Sequence, residues 1–211
     1  MQPITHDYFE DVFLNRHSIR KYKPNQPISR EVMTKIIKMT SQTPSSLNLQ
    51  PWHFVVVDSP EKKAALAPYF AYNPQQCETS SAMVFIFGDL EAVSRTDFIL
   101  DEAVKAGKMP EEVKLRQSKM IKDIYQNYTD EELQITTVFD GGLVAMSFML
   151  AARYFGYDTC PIGGFDKQHI HQALDIDETR YLPLLALSIG VADETGHDSY
   201  RLSPSDITTF L

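Results

Sequence analysis

Cysteine is scarce in this chain of 211 residues, which carries only Cys77 and Cys160. The two have no paired spacing for zinc and cannot frame a disulfide scaffold, so they read as small buried thiols in a reducing compartment. Basic residues are outnumbered, 20 Lys and Arg against 28 Asp and Glu, for a formal net charge of -8. That balance argues against broad contact with nucleic acid or an anionic membrane, and any anion site must be local. Long hydrophobic runs are also missing. The longest, Gly141 to Ala152, falls well short of the roughly 20 residues a bilayer crossing needs and reads as a buried helix. Residues 1–7, MQPITHD, lack a basic stretch followed by an apolar run, so no secretory signal is visible and the cytoplasm is the expected location.

Several catalytic and ligand-binding signatures are absent too. No Gly-x-Gly-x-x-Gly follows a strand and no Gly-x-Ser-x-Gly occurs, which argues against a dedicated dinucleotide site and a serine nucleophile elbow. His169-x-His171 has the wrong spacing for a shared helix face, and Asp175 to Glu178 lacks the glycine and later glutamate of a calcium loop. No metal site is expected.

What is present is an ordinary globular composition, 43% hydrophobic and 23% charged, of a size for one domain over residues 1–211. Helical patterns span Asp7 to Leu14, Arg30 to Gln42 behind a Ser29 cap, Glu111 to about Tyr128, and Asp166 to Leu174. Ser59-Pro60 opens a further helix. Strands are predicted at His53 to Val57, Met83 to Phe87 and Leu184 to Val191. Residues 95–133 form a polar helical excursion. Beyond it Ile135, Val138, Phe139, Gly142, Leu143 and Met146 recur at helical spacing. From Gly141 this helix is apolar nearly all round, so it must be buried on nearly all sides, as a central helix or in a subunit interface. Gly141-Gly142 would admit a close neighbour.

Four segments carry chemistry. Arg16-His17-Ser18-Ile19-Arg20 gathers donors that suit phosphate oxygens, although such a pentamer alone is often only a solvated surface. Pro44-Ser45-Ser46-Leu47-Asn48-Leu49-Gln50-Pro51-Trp52 runs hydroxyls and amides directly into a buried strand, which would hold them rigidly, and taken alone is a turn or cap. Pro161-Ile162-Gly163-Gly164 offers backbone N–H groups to a flat ligand or simply turns. Tyr200-Arg201 lies in the C-terminal tail.

In this order the four segments resemble the motifs of the nitroreductase family of FMN-dependent oxidoreductases, and most of all its small bacterial NAD(P)H nitroreductases. The likeness spans essentially the whole chain. It implies an α+β sandwich with a mainly antiparallel central sheet flanked by helices, built as an intertwined homodimer with two FMN at the interface. The apolar helix would lie along the dimer axis, and the tail, residues 192–211, would reach the partner subunit. Carried over by residue, Arg16, Ser18 and Arg201 would hold the FMN phosphate with His17 alongside. Arg20 would face the pyrimidine edge. Pro44, Ser45, Ser46 and Asn48 would come from the other subunit. Asn73 and Gln76 would contact the ring, and Pro161, Ile162, Gly163 and Gly164 would pass near N5.

Three positions depart from better-known members: Gly163 where some carry Glu, Ser199 where a second basic residue often stands, and Gln76 in place of a lysine. They imply a more open acceptor pocket and fewer cations around the cofactor. The chemistry implied is hydride transfer from NADH or NADPH and then to a flat small-molecule acceptor, a nitroaromatic or quinone, in a ping-pong cycle. Flavin N5 does that chemistry, no side chain is expected as acid, base or nucleophile, and Arg20 acts as an electrostatic stabiliser. The alternatives are a flavin carrier or sensor without turnover and a sister activity on the same fold.

Overall fold

A computed structural model describes residues 9–211. Its organising element is the apolar run predicted around Met83 to Phe87, which extends to Ala82–Asp89 as β2, buried along its whole length. Successive side chains of a strand point to opposite faces. Ala82, Val84 and Ile86 therefore join one core layer and Met83, Phe85 and Phe87 another. A strand apolar on both faces must be covered on both, and at about 1.5–3 kcal/mol per fully buried large side chain these layers are the main stabilising term.

β2 lies between β1 (Trp52–Val57) and β4 (Tyr181–Gly190), and β3 (Asp158–Ile162) closes the other edge. The order is β1-β2-β4-β3 and all three pairings are antiparallel. The first layer is covered by α2 (Arg30–Thr40) and α7 (Asp130–Tyr154). Ser29 caps α2 by accepting from the Val32 amide at 3.2 Å. Thr129 and Glu132 form a reciprocal capping box at the start of α7. The second layer gathers Phe70, Phe165 and Ile170 with α3 (Pro60–Leu66) and α4 (Pro74–Thr79). The excursion is a helical hairpin of α5 (Thr96–Lys105) and α6 (Glu111–Gln126), clasped by Lys122 and Ser118 on Asp97. It has a small core of its own, in which Leu100 and Ile121 meet Leu49 of the polar loop before β1. Short helices α1 (Phe9–Leu14), α8 (Ile170–Leu174) and α9 (Pro204–Ile207) are the remaining α-helices among the described residues.

Several sequence expectations need correction. The expected helix Asp7 to Leu14 begins outside the described residues. The predicted helix from Asp166 is helical only from Ile170, because the Asp166 carboxylate accepts from the Gln168 and His169 amides and forms a turn first. Tyr157 to Ile162 contains a strand and Pro74 to Thr79 a helix that the sequence pattern does not indicate, whereas α5 falls within the expected helical excursion. The apolar helix is 25 residues long, not a short run. By length and composition alone it is apolar enough to cross a membrane, but it packs on all four strands and on α2. Within one chain one face is covered, which fits the expected alternative of a subunit interface. Thr137, Asp140, Gly141, Val144, Ala145 and Phe148 face inward, whereas Ile135, Val138, Phe139 and Leu143 are exposed, Phe139 at 67%. Of the two glycines, Gly141 is the one at a close approach, where a Cβ would run into Leu184 of β4. Gly142 faces open space.

Candidate functional site

The first polar segment is sewn to the edge of the sheet. Ser18 bridges in parallel to Thr159 of β3, and the Ile19 amide donates to the Thr159 carbonyl at 3.1 Å. Ile19 and Tyr22 are buried, and the Tyr22 hydroxyl lies 2.8 Å from Ser188 Oγ. With Ile19 and Tyr22 locked inward, Arg20 and Lys21 between them are held at the surface. Arg20 is exposed, its Nη1 3.3 Å from the Ser18 carbonyl. The amides of Arg20 and Lys21 both donate to the Glu194 carboxylate, at 2.5 and 3.3 Å. Arg16 differs in one respect that matters: its Nη1 is buried with no hydrogen-bond partner. His17 has Nδ1 3.0 Å from the Asn15 carbonyl and Nε2 3.5 Å from Asp198. Gly196, at φ +76°, packs so closely on His17 that a Cβ there would collide with it.

The end of β3 brings further groups to this place. Burial raises the pKa of the Cys160 thiol, while Gln76 and the nearby positive charges of Arg20 and Arg16 pull it back. Gln76, 3% exposed, donates to Asn73 Oδ1 at 2.9 Å and lies 4.0 Å from Cys160 Sγ. Pro161 and Ile162 end the strand, and Gly163 and Gly164 follow with open space where side chains would stand. Arg16, Arg20, Gln76, Asn73 and the Pro161–Gly164 segment thus gather around one strand end.

The second polar segment lies across the sheet, on the side of α7. Ser45 Oγ accepts from the Gln50 amide at 3.0 Å. The Ser46 amide donates to both oxygens of Asp140, at 3.1 Å each, and Ser46 Oγ donates to Oδ1 at 3.2 Å. Leu47, Asn48 and Gln50 all have left-handed backbone, φ 51°, 56° and 51°. Such residues cost on the order of 1–3 kcal/mol each and persist only where the surroundings over-determine them. Here Asp140 pins one end of the loop, and Arg95 donates to the Gln50 carbonyl at 3.3 Å at the other. A groove of about 520 Å³ runs between this loop and α5, lined by Asn48, Gln50, Arg95, Phe98, Ile99 and Lys108 among others.

Among the described residues no hydrogen bond joins the Pro44–Asn48 group to the Arg16–Arg20 group. Arg201 joins neither. It is exposed, and among the described residues its one hydrogen bond is a 3.3 Å contact to the Tyr200 carbonyl. Sequence reasoning missed Asp140 and Glu194. Asp140 left a signal, as the single charged residue between Leu133 and Ala152. Glu194 left none, since its role depends on the tail returning to the first segment.

A family model described as "Nitroreductase family" matches residues 14–191. The chain belongs to the nitroreductase family. A Bacillus subtilis protein named "Putative NAD(P)H nitroreductase YdgI" is 44% identical over 198 residues, 94% of each chain. The solved structure of a "putative nitroreductase in complex with FMN" from Exiguobacterium sibiricum superposes with a TM-score of 0.97 at 44% identity, covering 99% of this chain and 100% of that one. A third relative, the CLA biosynthesis enone reductase of Lactiplantibacillus plantarum, is 33% identical over 95% of this chain and 93% of its own. The expected α+β fold with an antiparallel sheet is the fold of this family.

Proposed function

We propose that this nitroreductase-family chain is an FMN-dependent oxidoreductase that takes hydride from NADH or NADPH and passes it to a flat small-molecule acceptor by a ping-pong cycle. The observation that carries the reading is the Arg16 Nη1, buried and without a hydrogen-bond partner among the described residues, close in sequence to Arg20 in a chain of net charge -8. A buried N–H donor without an acceptor is costly, and a phosphate oxygen would satisfy it. The open space at Gly163 and Gly164 equally suits a planar ring lying against backbone. When bound, FMN supplies the hydride chemistry.

The chain's own residues have narrower tasks. Arg16, Ser18 and Arg201 hold the phosphate with His17 beside them, and Arg20 places positive charge at the pyrimidine edge, where reduction builds negative charge. Asn73, Gln76 and the backbone from Pro161 to Gly164 line the ring. Pro44, Ser45, Ser46 and Asn48 complete the site from a second copy of the chain. That homodimer is supported by the exposed apolar face of α7 and by the separation of the two polar groups within one chain. A groove of about 660 Å³ between α7 and β4, lined by Val138, Gly142, Ala145 and Leu184 among others, adds to the uncovered face.

Nitroaromatics and quinones are the acceptors this reading favours. The enone reductase relative supports a second acceptor class, a carbon–carbon double bond conjugated to a carbonyl. The deciding experiment is the anaerobic absorbance spectrum of the purified protein through stoichiometric NADH or NADPH and then acceptor. Bleaching by a nicotinamide and recovery with a quinone, nitroaromatic or enone is the expected outcome. Bound flavin that neither nicotinamide bleaches would overturn the reductase reading in favour of a carrier.

A further inference from the structure

Asp140 is 1% exposed, in the middle of the inward face of α7, and among the described residues every hydrogen bond it makes goes to Ser46. A carboxylate is expensive to bury and is retained where its hydrogen bonds do something a neutral residue would not. Burial raises its pKa, and only the Ser46 amide and hydroxyl act against that. The charge is thus placed at some cost, on the helix beneath the loop, against a single serine.

That contact fixes two properties of the loop. The Ser46 amide, held by both carboxylate oxygens, anchors the start of a segment in which Leu47, Asn48 and Gln50 adopt left-handed backbone. The Ser46 hydroxyl has one proton, and an ionised carboxylate can only accept it. Ser46 Oγ therefore faces away from α7 with lone pairs alone.

We infer that Asp140 is a positioning residue, which holds the Ser45–Gln50 loop in its strained form and commits the Ser46 proton so that Ser46 meets a ligand only as an acceptor. The inference rests on the reading that this loop lines a flavin. The group opposite Ser46 is then a donor, a ribityl hydroxyl and not a ring carbonyl. Asp140→Asn keeps the shape and reverses the polarity: its amide nitrogen donates to Ser46 Oγ and frees the serine proton to point outward.

The test combines two readouts on the full-length protein. In the flavin-free protein, amide hydrogen exchange at residues 45–50 should be at least tenfold faster in Asp140→Ala than in the unsubstituted chain, because the anchored Ser46 amide is released. In the FMN titration, Asp140→Asn should weaken binding by about tenfold, the scale of one hydrogen bond to a charged group. In a Ser46→Ala background the same change should have little further effect, because the two residues act through one hydroxyl. Unchanged exchange in Asp140→Ala would overturn the anchoring. An FMN affinity equal to the unsubstituted chain in Asp140→Asn, or fully additive losses in the double variant, would overturn the polarity assignment. Should the unsubstituted chain bind no FMN, the flavin reading and the polarity assignment fall together, while the exchange measurement still decides the anchoring.

Discussion

Arg180 grips Asp89 at two points, its Nε and Nη2 each 2.8 Å from one carboxylate oxygen. Asp89 ends β2 and is 1% exposed. Arg95 reaches the same carboxylate, and its other nitrogen donates to the Gln50 carbonyl, so one buried charge ties the end of the sheet to the loop before β1. Burial alone would raise the pKa of the Asp89 carboxyl, but the hydrogen bonds from Arg180 and Arg95 together outweigh it and hold it below the ordinary value.

Acid should therefore weaken the fold in a defined way. With the folded pKa below the unfolded one, Asp89 contributes stability that is fully present above about pH 4 and is lost as pH falls through the lower folded value. Arg180→Ala leaves a buried carboxylate short of a partner and should cost about 3 kcal/mol at neutral pH. Urea denaturation from pH 7 down to pH 2.5 would show the difference between the two proteins narrowing at the acid end. A constant difference across that range would mean that packing, and not charge, is what Arg180 contributes.

Gly88 sits in β2 where a Cβ would run into Cγ2 of the buried Thr137 on α7. Thr137 is branched and has little freedom to move aside. Gly88→Ala should cost about 1–3 kcal/mol, the usual range for overpacking. Thr137→Ser removes the offending methyl and should restore most of that loss in the double variant. Thermal denaturation of the four proteins reads this out directly, and a double variant no better than Gly88→Ala would place the conflict elsewhere.

Where the sequence was legible, one side chain pattern had one structural solution. The run Met83 to Phe87 is apolar at every position and had to be a strand covered on both faces. Ser29 and Ser59-Pro60 marked helix starts that the structure keeps. β3 was hidden because Cys160 and Pro161 weaken its β pattern, and its pairing with β4 is a long-range contact. The expectation for α7, a central helix or a subunit interface, stayed undivided for a related reason: periodicity reports which faces are apolar, and cannot say which chain covers them. At the site, residue types were readable but partnerships were not. Nothing in the local sequence indicates that Ser46 meets Asp140 or that Glu194 returns to the amides of Arg20 and Lys21.

The arginines separate binding from reactivity. Arg16→Ala removes the buried Nη1 donor and should weaken FMN binding by about tenfold or more, the scale of a charge-assisted hydrogen bond. Arg201→Ala should act in the same direction. Arg20→Ala should leave the fold intact and instead slow reduction by nicotinamide or lower the flavin potential, because its task is to stabilise charge that develops on reduction. Equilibrium titration with FMN and anaerobic stopped-flow reduction distinguish the two effects. Normal flavin affinity in both Arg16→Ala and Arg201→Ala would remove the phosphate assignment.

If each site draws Arg16 from one copy and the Ser45–Asn48 loop from the other, two inactive proteins can repair each other. Phe139→Glu, on the exposed apolar face of α7, should first abolish the dimer, and with it FMN retention, as read by sedimentation and by the flavin content of the separated species. A sharper outcome comes from mixing an Arg16→Ala protein with an Asn48→Ala, Ser45→Ala protein and allowing subunits to exchange. In the mixed dimer one site inherits both defects. The other is assembled from the intact Arg16 of one chain and the intact loop of its partner. Flavin should return to one site per mixed dimer, whereas both parent proteins stay depleted. Recovery of none would place all the cofactor contacts within a single chain.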